Sequence, residues 1–285
     1  MKHIPYFTAS LLMATSLFAV FESAQASDIS FTPRASISLT SYKFSQTARV
    51  GALANTGING NDFPEITFEV TFKTLGLGGT FFKDGYYLDL SAQKSADEED
   101  SFTLDDPLFS QPFVENFKGD RQDTAITLGK KILDNKGTVY IGYKTGKSEA
   151  SGDQGQHLSF KEKGFFVGAN YGWAVSNSGK LSVNIAFANL NGDLTEDVTN
   201  PLFATGTGPN DIVAPLDINA TSDAQGLSYG VSWASRLSSN LSYSVSIDAK
   251  KYTFDNVKDS NPATITSKEF EEQLLSAMLS IYFQF

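Results

Sequence analysis

The chain has 285 residues, a formal net charge of −10 and no cysteine. Hydrophobic residues make up 41% of it, which is enough to form a core and excludes wholesale disorder. The acidic balance, without any lysine- or arginine-rich run, excludes a nucleic-acid-binding surface. The lack of cysteine excludes disulfides, cysteine–zinc sites and cysteine catalysis.

The first segment, 1–26, has the layout of a secretory signal peptide. A short basic start precedes a mostly apolar run over 4–21, and Ala24-Gln25-Ala26 then forms a cleavage pattern. A membrane-anchoring helix is the alternative interpretation of the apolar run. We therefore expect a mature domain over 27–285, in which no second apolar run is long enough to form a spanning helix.

The rest of the chain alternates between apolar and polar residues. Over 241–250, Leu, Tyr, Val, Ile and Ala alternate with Ser, Asp and Lys. Such a period of two is typical of β-strands that have one apolar face. Ten strands are predicted, over 31–44, 65–82, 86–94, 121–133, 138–149, 158–175, 180–190, 225–237, 241–254 and 268–285.

The connections between these strands alternate in length. The short ones carry glycine or asparagine, as tight hairpin turns require. Long loops are predicted over 45–64, 95–120, 150–157, 191–224 and 255–267. An even number of strands, with short turns at one end and long loops at the other, predicts an all-β, antiparallel transmembrane β-barrel, because only a closed sheet pairs every backbone group in hydrocarbon. A secreted β-sandwich is the alternative.

The register of the first two strands stays open. In the second strand, Phe68 and Phe72 share one parity, whereas Leu75 has the other. An extra residue near Thr74, forming a β-bulge, would reconcile the two halves. Alternatively, the upper half of the strand stands above the bilayer. The first strand shows a similar ambiguity after Leu39.

The end of the chain resembles that of Gram-negative outer-membrane barrels, because Ile281, Phe283 and Phe285 occupy alternate positions. The resemblance covers the signal peptide, the topology and the last strand. It implies location in the outer membrane, contact with membrane lipid and lipopolysaccharide, and insertion by the barrel-assembly machinery. It does not specify a function, since the same layout carries pores, enzymes, adhesins and inert anchors. We expect a monomer without cofactor or metal.

If the apolar parity faces lipid, the other parity faces the lumen. Eight strands enclose an interior that side chains just fill, and diameter grows with strand number. Ten strands are therefore expected to leave either a narrow wet channel or space for a plug. The residues predicted to face the lumen are Arg34, Asp89, Lys131, Tyr140, Lys144, Asn170, Asn184, Arg236, Asp248 and Lys250.

Two predicted loops are strongly acidic. Segment 95–120 holds eight acidic residues and one lysine, and segment 191–224 holds six acidic residues without lysine or arginine. Such a rim would attract cations. A Ca²⁺ site at Asp97–Asp100, or plain solvated loops bridged to lipopolysaccharide by divalent ions, are the alternatives. The predicted rim residues are Asp97, Glu98, Glu99, Asp100, Asp105, Asp106, Asp193, Glu196 and Asp197.

The sequence offers little for catalysis. The mature chain has a single histidine, His157, and its surroundings lack the Asp–His pattern of the omptin proteases, which are also ten-stranded barrels. Neither a serine-hydrolase elbow nor a P-loop or dinucleotide motif occurs. We predict no enzymatic activity, and instead a narrow porin-like pore with a cation-favouring rim, or a structural membrane protein. A surface-binding protein or adhesin is the alternative, and an omptin-like hydrolase comes third.

Overall fold

The computed structural model describes residues 29–50, 66–104, 113–153, 157–175, 179–198, 216–259 and 265–284. The compact unit that forms the barrel comprises Phe31–Phe285. Among the described residues, no helix is long and apolar enough to cross a membrane. The strands are β1 (Ser30–Val50), β2 (Ile66–Lys83), β3 (Tyr86–Ser95), β4 (Glu98–Leu104), β5 (Phe113–Ile132), β6 (Gly137–Gly152), β7 (His157–Ala174), β8 (Gly179–Val198), β9 (Leu216–Arg236), β10 (Leu241–Asp259) and β11 (Ile265–Phe283).

The strands close into an antiparallel barrel. Their order around the wall is β3-β2-β1-β11-β10-β9-β8-β7-β6-β5, and pairing of β3 with β5 closes the ring. The extra strand β4 also pairs with β5 and follows β3 after a break at Ala96 and Asp97. It therefore extends the β3 wall outward, and the predicted ten-stranded barrel is confirmed.

The strands extend well beyond their predicted ends. β5 begins at Phe113, β8 continues to Val198 and β9 begins at Leu216. The segments 95–120 and 191–224 were predicted as loops, but their described parts are mostly strand, so the predicted bounds of these two loops were wrong. The reason is that apolar residues face inward in the outer part of a strand but outward in the part that contacts lipid. The alternation used to predict the strand therefore ends where the outer part begins.

A belt of exposed apolar side chains surrounds the half of the barrel next to the short hairpin turns. We call this half the inner half, and the half next to the long connections the outer half. Around a closed sheet, such a belt is a lipid-facing surface. Ile281 and Phe283 of the last strand belong to it, whereas Phe285 and the predicted signal peptide 1–26 lie outside the described residues. Other members include Ile37, Leu39, Leu77, Leu128, Ile141, Phe165, Val167, Ile185, Phe187, Leu227, Val231 and Ile247.

The ambiguity of the second strand is resolved without a bulge near Thr74. Phe72 is 1% exposed and faces inward, whereas Leu75 is 53% exposed and faces outward. The register of β2 with β3 runs without a shift from Thr74 to Lys83. β1 changes in the same way between Leu39, which is exposed, and Tyr42, which is buried. The outer half of each strand thus stands beyond the apolar belt and turns its apolar residues inward.

Candidate functional site

Aromatic side chains fill the interior of the outer half. The ring centroid of Phe44 lies 5.0 Å from that of Phe160 and 5.9 Å from that of Phe270. Phe254 packs edge-on against Phe160, with centroids 4.9 Å apart. Because β1 and β7 lie on opposite sides of the wall, the Phe44–Phe160 contact crosses the lumen. Phe160, Phe254 and Phe270 have no exposed surface, and we call these four rings the aromatic layer.

An ion cluster centred on Arg121 of β5 lies next to the aromatic layer. Arg121 is 4% exposed and uses all five guanidinium N–H groups. Nε and Nη2 donate to the two carboxylate oxygens of Asp123 at 2.9 and 2.8 Å. Nη2 also donates to Glu162 at 2.9 Å, and Nη1 donates to Glu272 at 2.5 Å and to Ser148 at 2.8 Å.

Lys144, one of the residues predicted to face the lumen, joins this cluster. Its Nζ lies 2.7 Å from Glu162 Oε1 and donates to Tyr252 Oη at 3.1 Å. Because β6 and β10 are not neighbours, the contact with Tyr252 also crosses the interior. We call the five charged or ionisable residues of this cluster the ionic layer: Arg121, Asp123, Lys144, Glu162 and Glu272.

The ionic layer depends on the absence of a side chain at position 146. A Cβ built on Gly146 of β6 would lie 2.5 Å from Glu162 Oε1 and 2.9 Å from Arg121 Nη2. Both separations are too short for a carbon atom, so the guanidinium and the carboxylate occupy the space that a side chain would take. This position therefore requires glycine for close approach rather than for backbone conformation.

The ionic layer lies beyond the apolar belt. On β11 the outward neighbours of Glu272 are Glu271 and Gln273, and Glu271 forms an ion pair of 2.6 Å with Lys251. Leu275, two residues after Gln273, is the first exposed apolar residue of this strand in the described range. The wall around Glu272 therefore faces water rather than lipid.

One proton is held within the ionic layer. Burial and the neighbouring Glu162 carboxylate raise the pKa of Glu272 to about 8. Burial also works against ionisation of Glu162, but the charges of Lys144 and Arg121 lower its pKa to about 2. With Glu272 protonated, the two cations balance the carboxylates of Glu162 and Asp123.

The inner half has a different interior. Arg34 reaches over Gly78 to Asp89 and donates from Nη1 and Nη2 to its two oxygens, both at 3.0 Å. The side chains of this pair are 20% and 18% exposed, so water reaches them. Asn184 similarly donates to Asp248 across the intervening strand at 3.1 Å. The interior at this level is a wet surface of polar side chains that lie along the wall.

The other predicted lumen residues form no layer of their own. Tyr140 packs over Gly168, and its hydroxyl approaches the carbonyl oxygen of Ile185 at 3.5 Å. Half-buried or exposed positions are occupied by Asn170, Lys250, Lys131 and Arg236. Sequence parity thus placed these residues on the wall, but it did not indicate which of them contact each other.

The predicted acidic rim is only partly described. Asp97 pairs with Lys118 at 3.3 Å, and Glu98 pairs with Lys73 at 3.0 Å. In the described part of the chain, no group of His, Asp or Glu could hold a metal ion. Exposed strand positions are occupied by Glu99, Asp100 and Asp193, while Asp105, Asp106 and the side chains of Glu196 and Asp197 lie outside the description.

No family model and no curated protein matches the chain. Among solved structures it is similar to the outer membrane protease OmpT from Escherichia coli, with 10% identity, a TM-score of 0.60, and coverage of 92% of this chain and 100% of that chain. The protein has the fold of a Gram-negative outer-membrane β-barrel. The translocator domain of NalP from Neisseria meningitidis also matches, with 10% identity, a TM-score of 0.45, and coverage of 97% and 96%. The apolar belt of the barrel lies in the outer membrane.

His157 of this outer-membrane barrel has neighbours that the sequence did not reveal. Its Nδ1 lies 3.1 Å from Ser151 Oγ, and its Nε2 lies 4.0 Å from Glu149 Oε1. The second separation exceeds hydrogen-bond length, and the imidazole is 41% exposed. These contacts join neighbouring strands on the outward face of the β6–β7 hairpin. They match a surface cross-strand pair better than a preorganised catalytic group.

The central residues of the site were not predicted from the sequence. Arg121, Glu162 and Glu272 were absent from the predicted lumen set, although they carry the ionic layer. A signal was present, since Glu162 follows Phe160 by two positions and Glu272 follows Phe270 by two. In each pair, an acidic residue shares one strand face with an aromatic residue. Such a face suits neither lipid nor a wet lumen, but it suits a packed interior.

Proposed function

We propose that this outer-membrane barrel is sealed, and that it serves as a structural and surface-binding protein rather than as a pore. The observation that carries the proposal is the contact between Phe44 and Phe160, which come from opposite walls. Ion conduction requires a continuous water-filled path, and rings in contact across the lumen interrupt it. The ionic layer supports the same function, because Arg121 links β5 to β11 and is itself buried.

A sealed and packed outer half would hold an exposed binding surface in a fixed position. In β8, Val198 lies eleven residues beyond Phe187 of the apolar belt, which corresponds to about 35 Å of strand. The barrel wall therefore extends well beyond the apolar belt, and this extension has a packed interior. Binding of a partner at the surface of this extension needs no open channel through the barrel.

Two other functions have weaker support. A cation-selective pore would rely on unpaired rim carboxylates, but Asp97 and Glu98 are in ion pairs. OmpT is a protease, but its likeness to this chain concerns the fold alone. The exposed contacts of His157 give no further support to an enzyme, and we propose a non-enzymatic role.

Recordings from the purified full chain in a planar lipid bilayer test the sealed barrel. The wild-type protein should give no stepwise conductance. A double variant, Phe44→Ala with Phe160→Ala, serves as the opened comparison, and heat-modifiable gel mobility verifies that it folds. Stable ohmic steps from the wild-type barrel, at the same size as those from the double variant, would contradict the proposal.

A further inference from the structure

A polar groove lies on the outward face of the barrel, outside the lumen. It has a volume of about 540 Å³ and is lined mostly by outward-facing residues of β5 to β10, together with the buried residues Gly146, Glu162, Gly192 and Ser222. Thr124 and Thr145 form its floor at one side, with their hydroxyl oxygens 2.8 Å apart. Four lysines belong to its lining: Lys147, Lys161, Lys163 and Lys258.

A β-bulge brings the last of these lysines into the groove. Asp255 pairs with Asp223 and Lys258 pairs with Thr221, so two residues of β10 stand opposite one residue of β9. Asn256 at the bulge has a φ of 55°, a left-handed conformation that asparagine adopts more readily than most residues. The extra residue reverses the alternation of β10. Lys258 therefore faces outward, although it has the parity of the buried Phe254.

The groove is positively charged in an acidic protein. The formal net charge of the chain is −10, yet the groove is lined by four lysines and three carboxylates. Of these, Glu162 is already paired with Arg121 and Lys144, and Lys147 is paired with Glu149 at 2.6 Å. Three lysines, Lys161, Lys163 and Lys258, therefore stand against the outward carboxylates Asp193 and Asp223. Asp223 already accepts a hydrogen bond of 2.7 Å from Asn191. Lys161 and Lys163 form no ion pair with any residue that the structure describes. Their ammonium groups are therefore available to an anion.

The groove borders directly on the apolar belt. On the outward face of β7, Lys163 lies two residues before Phe165, and Phe165 is 62% exposed. The Phe165 and Tyr143 rings contact each other edge-on with centroids 5.1 Å apart. Aromatic rings of this kind mark the boundary between hydrocarbon and headgroups. The lysines therefore stand at headgroup height, with apolar surface below them.

From the charge of the groove and its position we propose that it binds the phosphorylated headgroup of an outer-leaflet lipid, namely that of lipopolysaccharide. Lysine ammonium groups bind phosphate as point charges, and the long lysine side chains extend along the wall toward the headgroup layer. The acyl chains of the same lipid lie against Phe165 and its neighbours. Asn191, Thr124 and Thr145 offer neutral hydrogen-bonding groups to the sugar.

Binding of lipid A to the purified full chain in detergent tests this proposal, with native mass spectrometry as the measurement. Removal of one lysine charge near a membrane surface weakens anion binding about fivefold. The double variant Lys161→Gln with Lys163→Gln should therefore weaken lipid A binding about 25-fold. The charge-preserving pair Lys161→Arg with Lys163→Arg should retain most of it.

Lys73→Gln is the matched control. Lys73 also faces outward, one alternate position beyond the belt residue Leu75, but it is paired with Glu98 and lies outside the groove. Its replacement should leave lipid A binding within about twofold of wild type. Dephosphorylated lipid A should bind the wild type no better than lipid A binds the double variant.

Three results would overturn the proposal. The first is equal binding of lipid A to the wild type and to the Lys161→Gln, Lys163→Gln variant. The second is equal binding of lipid A with and without its phosphates. The third is displacement of lipid A by equimolar inorganic phosphate, which would make the groove a site for the free anion. Heat-modifiable mobility of every variant keeps misfolding separate from lost binding.

Discussion

The two halves of the barrel are built from the same strands but have opposite polarity. In β7, Phe160 is buried inside the outer half, whereas Phe165, five residues further along, is 62% exposed to lipid. The charged side chains inside the two halves also differ in their exposure. Arg121 is 4% exposed and fully hydrogen-bonded, whereas Arg34 is 20% exposed and has a single carboxylate partner. The solvent outside the wall explains the difference, because apolar side chains turn outward in lipid and inward in water.

The largest expected effect comes from the two arginines. Arg121→Ala should lower the free energy of unfolding by about 3–5 kcal/mol, because it breaks the buried ion pair with Glu162 and leaves Ser148 and Glu272 without their buried hydrogen-bond donor. Arg34→Ala should cost only about 1 kcal/mol, because water reaches its partner. Urea unfolding of the refolded barrel in lipid measures both. Equal losses would mean that the outer half is as wet as the inner half.

The two phenylalanines of β7 give the next comparison. Phe160→Ala should cost about 3 kcal/mol through the cavity that it leaves in the aromatic layer. Phe165→Ala should cost about 1 kcal/mol, because lipid fills the space and only the contact with Tyr143 is lost. The same unfolding assay applies. A larger loss at Phe165 than at Phe160 would contradict the packed outer half.

Within the inner half, the two faces of β9 can be compared. Val231 is 48% exposed on the lipid face, and its neighbour Ser232 faces the lumen. Val231→Lys should cost about 2–4 kcal/mol if the residue lies near the bilayer midplane. Ser232→Lys should cost much less because the lumen at this level is wet. Similar losses at the two positions would show that the inner interior is dry.

The smallest expected difference between the two halves concerns the pH dependence of stability. The pKa of Glu272 is raised to about 8 in the folded protein, whereas an unfolded glutamate titrates near 4.3. The folded state then binds the extra proton, so stability falls as pH rises through this window. Between pH 6 and 7.5 the loss is at most about 2 kcal/mol.

Glu272→Gln is the control for this pH dependence. The amide cannot titrate, so the decline of stability between pH 6 and 7.5 should disappear. Glu162 has a lowered pKa and contributes in the opposite sense, but only below about pH 4.5, outside the measured range. Urea unfolding at both pH values provides the measurement. A decline that is unchanged in the variant would assign the titration to another group.

The sequence was sufficient for the parts of the fold that contact lipid. A strand in contact with lipid requires uninterrupted alternation of apolar and polar residues. The ten strands of the wall and their outward residues, such as Val245 and Ile281, could therefore be predicted. The outer parts of β5 and β8 were missed because water outside the wall permits polar outward residues. The pattern there resembles a loop with scattered apolar residues. A reversal of parity, as between Phe72 and Leu75, is the local signal that marks the edge of the membrane.

The ionic layer could not be predicted in the same way. Arg121, Glu162 and Glu272 come from three strands, and 151 residues separate Arg121 from Glu272. No local periodicity indicates which inward side chains meet across a barrel. The missing side chain at Gly146, which makes room for two of them, is visible in the sequence only as one glycine among many.

The aromatic layer also bears on the order in which the barrel assembles. β1 contributes Phe44, and the last strand contributes Phe270, which contacts both Phe44 and Phe160. Until β11 arrives, Phe160 lacks one of its neighbours and Arg121 lacks the acceptor on Glu272. Closure of the wall and packing of its interior are therefore one cooperative event. Since contacts so distant along the chain form slowly, docking of the last strand should be the step that limits the rate of folding.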